Sequence, residues 1–256
     1  MNVMHRSPSS SQAVAVDVQQ LRVDLAAAFR LTAQFDWHES VGNHFSAAVS
    51  DDGNVFLLNP KWRHFATIRA SELLLLDSRD RGAMDRPNAP DPSAWTIHGA
   101  IHSHKPSVRV MLHCHPPYCT ALATLADPTL KPIDQNTARF FGRIGIDLEF
   151  GGIADEADEG ARLARALGDY SILMMGNHGV TVTAPTVAQA FEDLYFLERA
   201  SKTLMLAYAS GQPLNVLSDE VARQTAEGWR LYDGMAFAHF EHLKSKLDLQ
   251  DSSYRD

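Results

Sequence analysis

The chain has 256 residues, 45% of them hydrophobic and 21% charged, enough to bury a sizeable core without cross-links, and no stretch reads as a linker between two cores. Its formal charge of −8 argues against non-specific nucleic-acid binding, which needs a basic face, and no apolar run approaches the roughly 20 residues of a membrane span. The two cysteines, Cys114 and Cys119, make no disulfide framework, and the N-terminal stretch lacks the apolar run of a signal peptide, so the cytoplasm is expected.

In chain order, the serine-rich stretch around Pro8 reads as a disordered arm over residues 1–16. Val18, Leu21, Leu25 and Phe29 recur at helical spacing, which predicts an amphipathic helix from Asp17 to Phe35. Asp51-Asp52-Gly53-Asn54 predicts a hairpin between strands at 47–49 and 55–58. The run 71–77 reads as a brief helix entering a strand, and 78–92 as a proline-rich loop in which Asp91 is a turn residue. A helix follows from Trp95 to His104, then a β-branched strand from Val108 to His115, then a helix that Pro116-Pro117 opens. Residues 154–167 read as a helix ending at Gly168. Ser171–Met175 and Val180–Thr183 read as strands, and the longest helix starts at Thr186, with Gln189 three residues on, and stops at Gly211. Residues 247–256 read as a flexible tail, leaving one domain over 17–246. Several strands joined by tight turns imply an α/β protein with a mainly antiparallel sheet.

Six of the twelve histidines lie between His98 and His178, and the chemistry is expected there. His113 and His115 stand two apart on a strand, so both side chains share a face, with Cα atoms about 6–7 Å apart, and can converge on one ion. Cys114 between them points the other way, into packing. His178 lies between Gly176 and Gly179 after a buried strand, where the backbone can approach a site closely. The three imidazoles suit a divalent cation, zinc first, with manganese, iron or cobalt as alternatives. His98 and His102 also have ligand spacing on a helix. The sequence assigns His98 a catalytic place behind the ligands or facing the substrate, and leaves His102 and His104 in solvent. Cys119 reads as a buried, inert thiol.

The ordered set Gly42-Asn43, Ser46, Asn59-Pro60, Trp95-Thr96-Ile97-His98, His113-Cys114-His115 and Gly176-Asn177-His178-Gly179, with the long helix carrying Leu197-Glu198-Arg199-Ala200, resembles the class II aldolase/adducin family over roughly residues 20 to 230. The resemblance implies a three-layer α/β/α sandwich on a largely antiparallel sheet, assembled as a homotetramer and acting on a small-molecule substrate. It also implies a metal held by His113, His115 and His178. Asn43, Ser46, Lys61 and Ser93 fall at substrate-binding positions. Two departures stand out: the position of the family's acid/base glutamate, nineteen residues before His113, is Ala94, and Lys61-Trp62 replaces a Thr-Gly pair that grips phosphate.

These features predict a metal-dependent lyase that breaks a C–C bond of an unphosphorylated hydroxy or oxo acid, by retro-aldol cleavage or decarboxylation, with Tyr118 or a metal-bound hydroxide moving the proton. Two other classes remain open on the same residues: a non-haem iron oxygenase, and a non-catalytic scaffold of the adducin kind.

Overall fold

The computed structural model describes residues 17–152 and 157–256. The first helix, α1 (Val18–Gln34), starts where the Asp17 carboxylate accepts from the amides of Gln19 and Gln20, and its last turn gives way to Asp36 in the left-handed region (φ 58°). Strands β1 (His44–Ala48) and β2 (Val55–Leu58) form the expected hairpin, and β3 (Leu74–Asp77) follows a short 3-10 turn. Helix α2 (Pro92–His104) is capped by Asp91, whose carboxylate accepts from the Ser93 amide and hydroxyl, so Asp91 is the turn residue expected of it. Strand β4 (Val110–Cys114) leads into α3 (Pro117–Ala123), then the one-turn α4 (Gln135–Ala138) and strand β5 (Ile144–Asp147). Helix α5 (Ala157–Leu167), the strands β6 (Ile172–Met175) and β7 (Gly179–Ala184), and the long α6 (Val187–Ala209) come next. Helices α7 (Asp219–Arg230) and α8 (Gly234–Gln250) close the chain.

Among the described residues the seven strands make one sheet in the order β3-β2-β1-β4-β7-β6-β5. All neighbours are antiparallel except β5 and β6. Strand alternation divides the side chains of β4 between two cores. Val110, Leu112 and Cys114 join α1, α3, α6 and α8 in the larger one, while Met111 faces α2 and α5 with Ile97, Ile101, Leu163 and Leu167. The result is the expected three-layer α/β/α sandwich on a mainly antiparallel sheet. Gly53, at φ +74°, lets the hairpin tip lie against the end of α2, where a Cβ would stand 2.3 Å from the His102 carbonyl oxygen.

The sequence expectations need three corrections. Residues 247–256 are built into the fold: Leu247 and Tyr254 are buried, Arg30 binds Asp251 and Ser253, and the Ser71 amide donates to the Asp256 carbonyl. The polar composition of that segment concealed two apolar anchors. His102 is fully buried, because α2 lays that face on the sheet against Phe56, while His104 is exposed as expected. Strand β5 and the short α4 carry no clear periodicity and were not foreseen. The N-terminal arm and the first turn expected for residues 154–156 lie outside the described residues.

Candidate metal centre

The register of β4 builds the centre. His113 pairs with His44 on β1 and with Thr181 on β7, so all three side chains point to the α2/α5 side of the sheet. His115 stands just beyond the end of β4, and His178 sits in the turn between β6 and β7, where Asn177 takes the left-handed conformation (φ 54°). Gly179 is needed for approach: a Cβ there would lie 2.3 Å from Cδ2 of His115 and 2.8 Å from the Cys114 carbonyl oxygen.

The three rings converge, with centroids 5.1 Å (His113–His115), 4.9 Å (His113–His178) and 4.8 Å (His115–His178) apart. One ring nitrogen from each falls within 4.8 Å of the others. Bonds of about 2.0–2.1 Å to one ion bring such nitrogens to roughly 3–3.5 Å, so side-chain rotation on the order of an ångström completes the set. Hydrogen bonds fix which nitrogens face inward. His113 Nδ1 donates to the Val180 carbonyl at 3.1 Å, and His115 Nδ1 donates to Glu39 Oε2 at 2.7 Å, leaving a lone pair on each Nε2. His115 Nε2 is buried with no protein partner among the described residues. A buried acceptor with nothing to accept, aimed among two more imidazoles, is what a cation would satisfy, and the residues fit a divalent metal. Burial pushes the pKa of His178 down to about 4, the nearby His115 adding to the effect, and pushes that of His113 well below the usual imidazole range. Both are therefore neutral at pH 7, the form that binds metal.

A cavity of about 440 Å³ opens over these rings. Its walls include Glu39, His44, Ser93, Ile97, Thr120 and Phe150. Glu39 and His44 are the site residues that sequence reasoning missed. Glu39 is brought in by a turn in which Ser40 is left-handed (φ 47°) and the Gly42 amide donates to the Glu39 carbonyl at 2.9 Å. Its trace in the sequence is slight, an acid ahead of Gly42-Asn43. A further cavity of about 330 Å³ lies around Arg139, Arg143 and Trp229, and no converging trio of histidine, cysteine or carboxylate groups occurs there among the described residues.

Of the residues singled out in the sequence, Ser93 lines the metal-side cavity. Asn43 is buried and accepts from the Glu39 amide at 2.8 Å, shaping the turn that delivers Glu39. Ser46 and His98 are fully buried behind His44, joined to each other by a hydrogen bond. Lys61 is exposed, its ammonium over the Trp62 ring, and is not part of the cavity wall. Tyr118 lies outside that wall too, half-buried beneath Lys202, with its amide bonded to Glu198. Cys119 is a buried thiol whose pKa burial pushes well up, as expected of an inert side chain.

Residues 23–205 match the family described as Class II Aldolase and Adducin N-terminal domain. The chain belongs to this family. Among its class II aldolase/adducin relatives is a protein of Pseudomonas aeruginosa assigned to aldolase class 2, 31% identical over all of both chains. The crystal structure of an aldolase II superfamily protein from Pseudomonas syringae superposes with a TM-score of 0.82 at 29% identity, covering 95% of this chain and 98% of that one. Two more distant relatives have named activities. The decarboxylase NovR of Streptomyces niveus is 25% identical over 89% of this chain and 86% of its own. A 4-hydroxy-3-prenylphenylpyruvate oxygenase/4-hydroxy-3-prenylbenzoate synthase of Streptomyces roseochromogenus is 26% identical over 73% and 69%.

Proposed function

We propose that the protein is a divalent-metal lyase that breaks a C–C bond of a small hydroxy or oxo acid, by decarboxylation or retro-aldol cleavage. The observation that carries this reading is the buried, unpartnered Nε2 of His115 facing His113 and His178 in a cavity that also holds one carboxylate. A cation bound there supplies a Lewis acid, worth several kcal/mol to developing negative charge on a substrate oxygen.

The chain's own side chains supply the rest. Glu39 orients His115 through Nδ1 and is the carboxylate in the cavity wall, where it would take the proton released from the substrate hydroxyl or acid group and return it to carbon once the bond has broken. It offers a carboxylate where Ala94 provides none, since Ala94 is buried against β2. Ser93, its hydroxyl proton given to Asp91, offers an oxygen acceptor to a polar substrate, while Ile97 and Phe150 limit water around the reacting carbon. Among the described residues no lysine or arginine lines this cavity, which suits an unphosphorylated substrate. Zinc is the first choice of ion. Exposed apolar side chains Leu231, Tyr232 and Phe237 near the C-terminus support the homotetramer that the family resemblance implies, acting in the cytoplasm.

The oxygenase-named relative favours a second reading, in which the same three imidazoles hold iron(II) and turnover consumes oxygen. Metal content of protein purified without added metal, beside His178→Ala and Glu39→Gln, separates these readings when combined with turnover of a panel of hydroxy and oxo acids under nitrogen and under air. The lyase reading expects about one zinc or manganese per chain, none in His178→Ala, metal affinity weaker by about 10–100-fold in Glu39→Gln, and anaerobic product. Iron with stoichiometric oxygen uptake transfers the case to the oxygenase. A metal-free wild type, unchanged by His178→Ala, leaves only a binding scaffold.

A further inference from the structure

A line of hydrogen bonds runs from the inner face of α2 to the cavity, and the position of every proton along it can be deduced. His102 Nδ1 lies 3.1 Å from the Val108 carbonyl oxygen, and a carbonyl only accepts, so His102 carries its proton on Nδ1. Its Nε2, 2.7 Å from Ser46 Oγ, then accepts the serine O–H. Ser46 Oγ has one proton to give, so it accepts from His98 Nδ1. His98 Nε2 is left as an acceptor, and takes the Nδ1–H of His44 at 2.7 Å. With one proton on each ring no other arrangement satisfies all four contacts. Burial favours that neutral state in the two rings behind His44, pushing the His102 pKa to about 4 and that of His98 well down.

The line ends at His44 Nε2. This nitrogen has no protein partner among the described residues, and its ring lines the cavity, stacked on His113 with centroids 4.7 Å apart. It is not one of the three nitrogens that gather for a cation. Two other polar groups of the site have protein partners, the Ser93 hydroxyl donating to Asp91 and Glu39 accepting from His115. The Thr120 hydroxyl in the same wall is buried without a protein partner among the described residues and, unlike His44 Nε2, can donate as well as accept.

We infer that His44 is a substrate-binding residue whose Nε2 is a fixed hydrogen-bond acceptor for a substrate hydroxyl, held bare by the His102–Ser46–His98 line. It selects hydroxy acids over the same acids without the hydroxyl, because a ligand lacking that proton leaves a desolvated lone pair unmatched. The inference rests on the proposed metal-site reading for its substrate class, while the tautomer itself follows from the protein alone.

The deciding experiment is a two-bond ¹H–¹⁵N correlation spectrum of the full chain, metal-free at pH 7 with labelled histidine. His44 is assigned by through-space contacts to His113 and by its absence in His44→Phe. His44 is expected with its proton on Nδ1 and a bare Nε2. A proton on Nε2 overturns the inference. Ser46→Ala breaks the line, so the His44 proton should then spread over both nitrogens, and an unchanged spectrum refutes control by the line. The second readout is affinity of the zinc-loaded protein for glycolate and for acetate. The preference for glycolate should fall about tenfold in His44→Phe, with zinc affinity within about threefold of wild type. An unaltered preference removes the hydroxyl contact, and zinc binding as weak as that of His178→Ala makes His44 a ligand instead. Failure of the wild type to bind zinc would instead sink the metal-site reading and leave the tautomer result standing.

Discussion

At Gly179 the structure has room for a hydrogen and nothing larger. A Cβ would stand 2.3 Å from His115 Cδ2 and 2.8 Å from the Cys114 carbonyl, so the His115 ring or the backbone beside it must move when alanine is introduced. Gly179→Ala is expected to cost about 1–3 kcal/mol of stability and to weaken divalent-metal binding by about tenfold or more. Gly228→Ala is the contrasting case, in helix α7 with nothing within 4 Å of its added Cβ, and should stabilise by about 0.5–1 kcal/mol. Thermal melts and metal titrations of both variants check this, and equal metal affinity in Gly179→Ala would remove the close approach as a design feature. The convergence of the three histidines was legible in the sequence because strand alternation fixes which way His113 and His115 point, and glycines on both sides of His178 announce a close approach. Glu39 and His44 were not. A lone acid in a polar turn and a histidine at a strand start look like solvated residues until the register pairs His44 with His113.

Among the elements, α3 depends on a side chain far away in the chain. The Glu198 carboxylate on α6 accepts from the Tyr118 amide at 3.0 Å and the Cys119 amide at 2.8 Å, capping a seven-residue helix whose own N-cap, Pro116, offers no side-chain acceptor. Burial raises the Glu198 pKa, the bonded amides working against that rise, so the carboxylate costs something to desolvate and is repaid in part by its partners. Glu198→Ala leaves the buried Cys119 amide without an acceptor and is expected to cost about 1–3 kcal/mol, with Glu198→Gln intermediate because one oxygen remains. Denaturant midpoints of the two variants measure this, and an alanine variant as stable as wild type refutes the capping role. Leu197-Glu198-Arg199-Ala200 drew notice in the sequence as a family feature, but nothing in one chain reveals that Glu198 caps a helix seventy-nine residues earlier. The strongly periodic elements were legible because burial sets their period. The short β5, with the pattern intermediate, buried, exposed, buried over four residues, carries too few positions to establish one.

The molecule as a whole holds a layer of neutral imidazoles between the sheet and helix α2, and this sets how it responds to acid. His98 and His102 are fully buried, the His102 pKa lowered to about 4 by desolvation and the His98 pKa well below its usual value for the same reason. In the unfolded chain each takes up its proton near pH 6.5, whereas the folded state refuses it until far lower. Between those values the unfolded chain binds more protons. The stability these groups contribute is therefore present above pH 6.5 and is lost as pH falls towards about 4. For His102 the span from 6.5 to about 4 corresponds to roughly 3 kcal/mol, and His98 acts in the same direction. Stability measured by urea unfolding should thus be level from pH 8 to 7 and fall steeply between pH 6 and 4.5. His102→Gln should be less stable at pH 7, since the contacts to Val108 and Ser46 are disturbed, yet its acid limb should be shallower by up to one proton. A variant curve displaced downward but parallel to wild type throughout would show that His102 takes no part in the acid response, and that the buried layer is not what limits the fold at low pH.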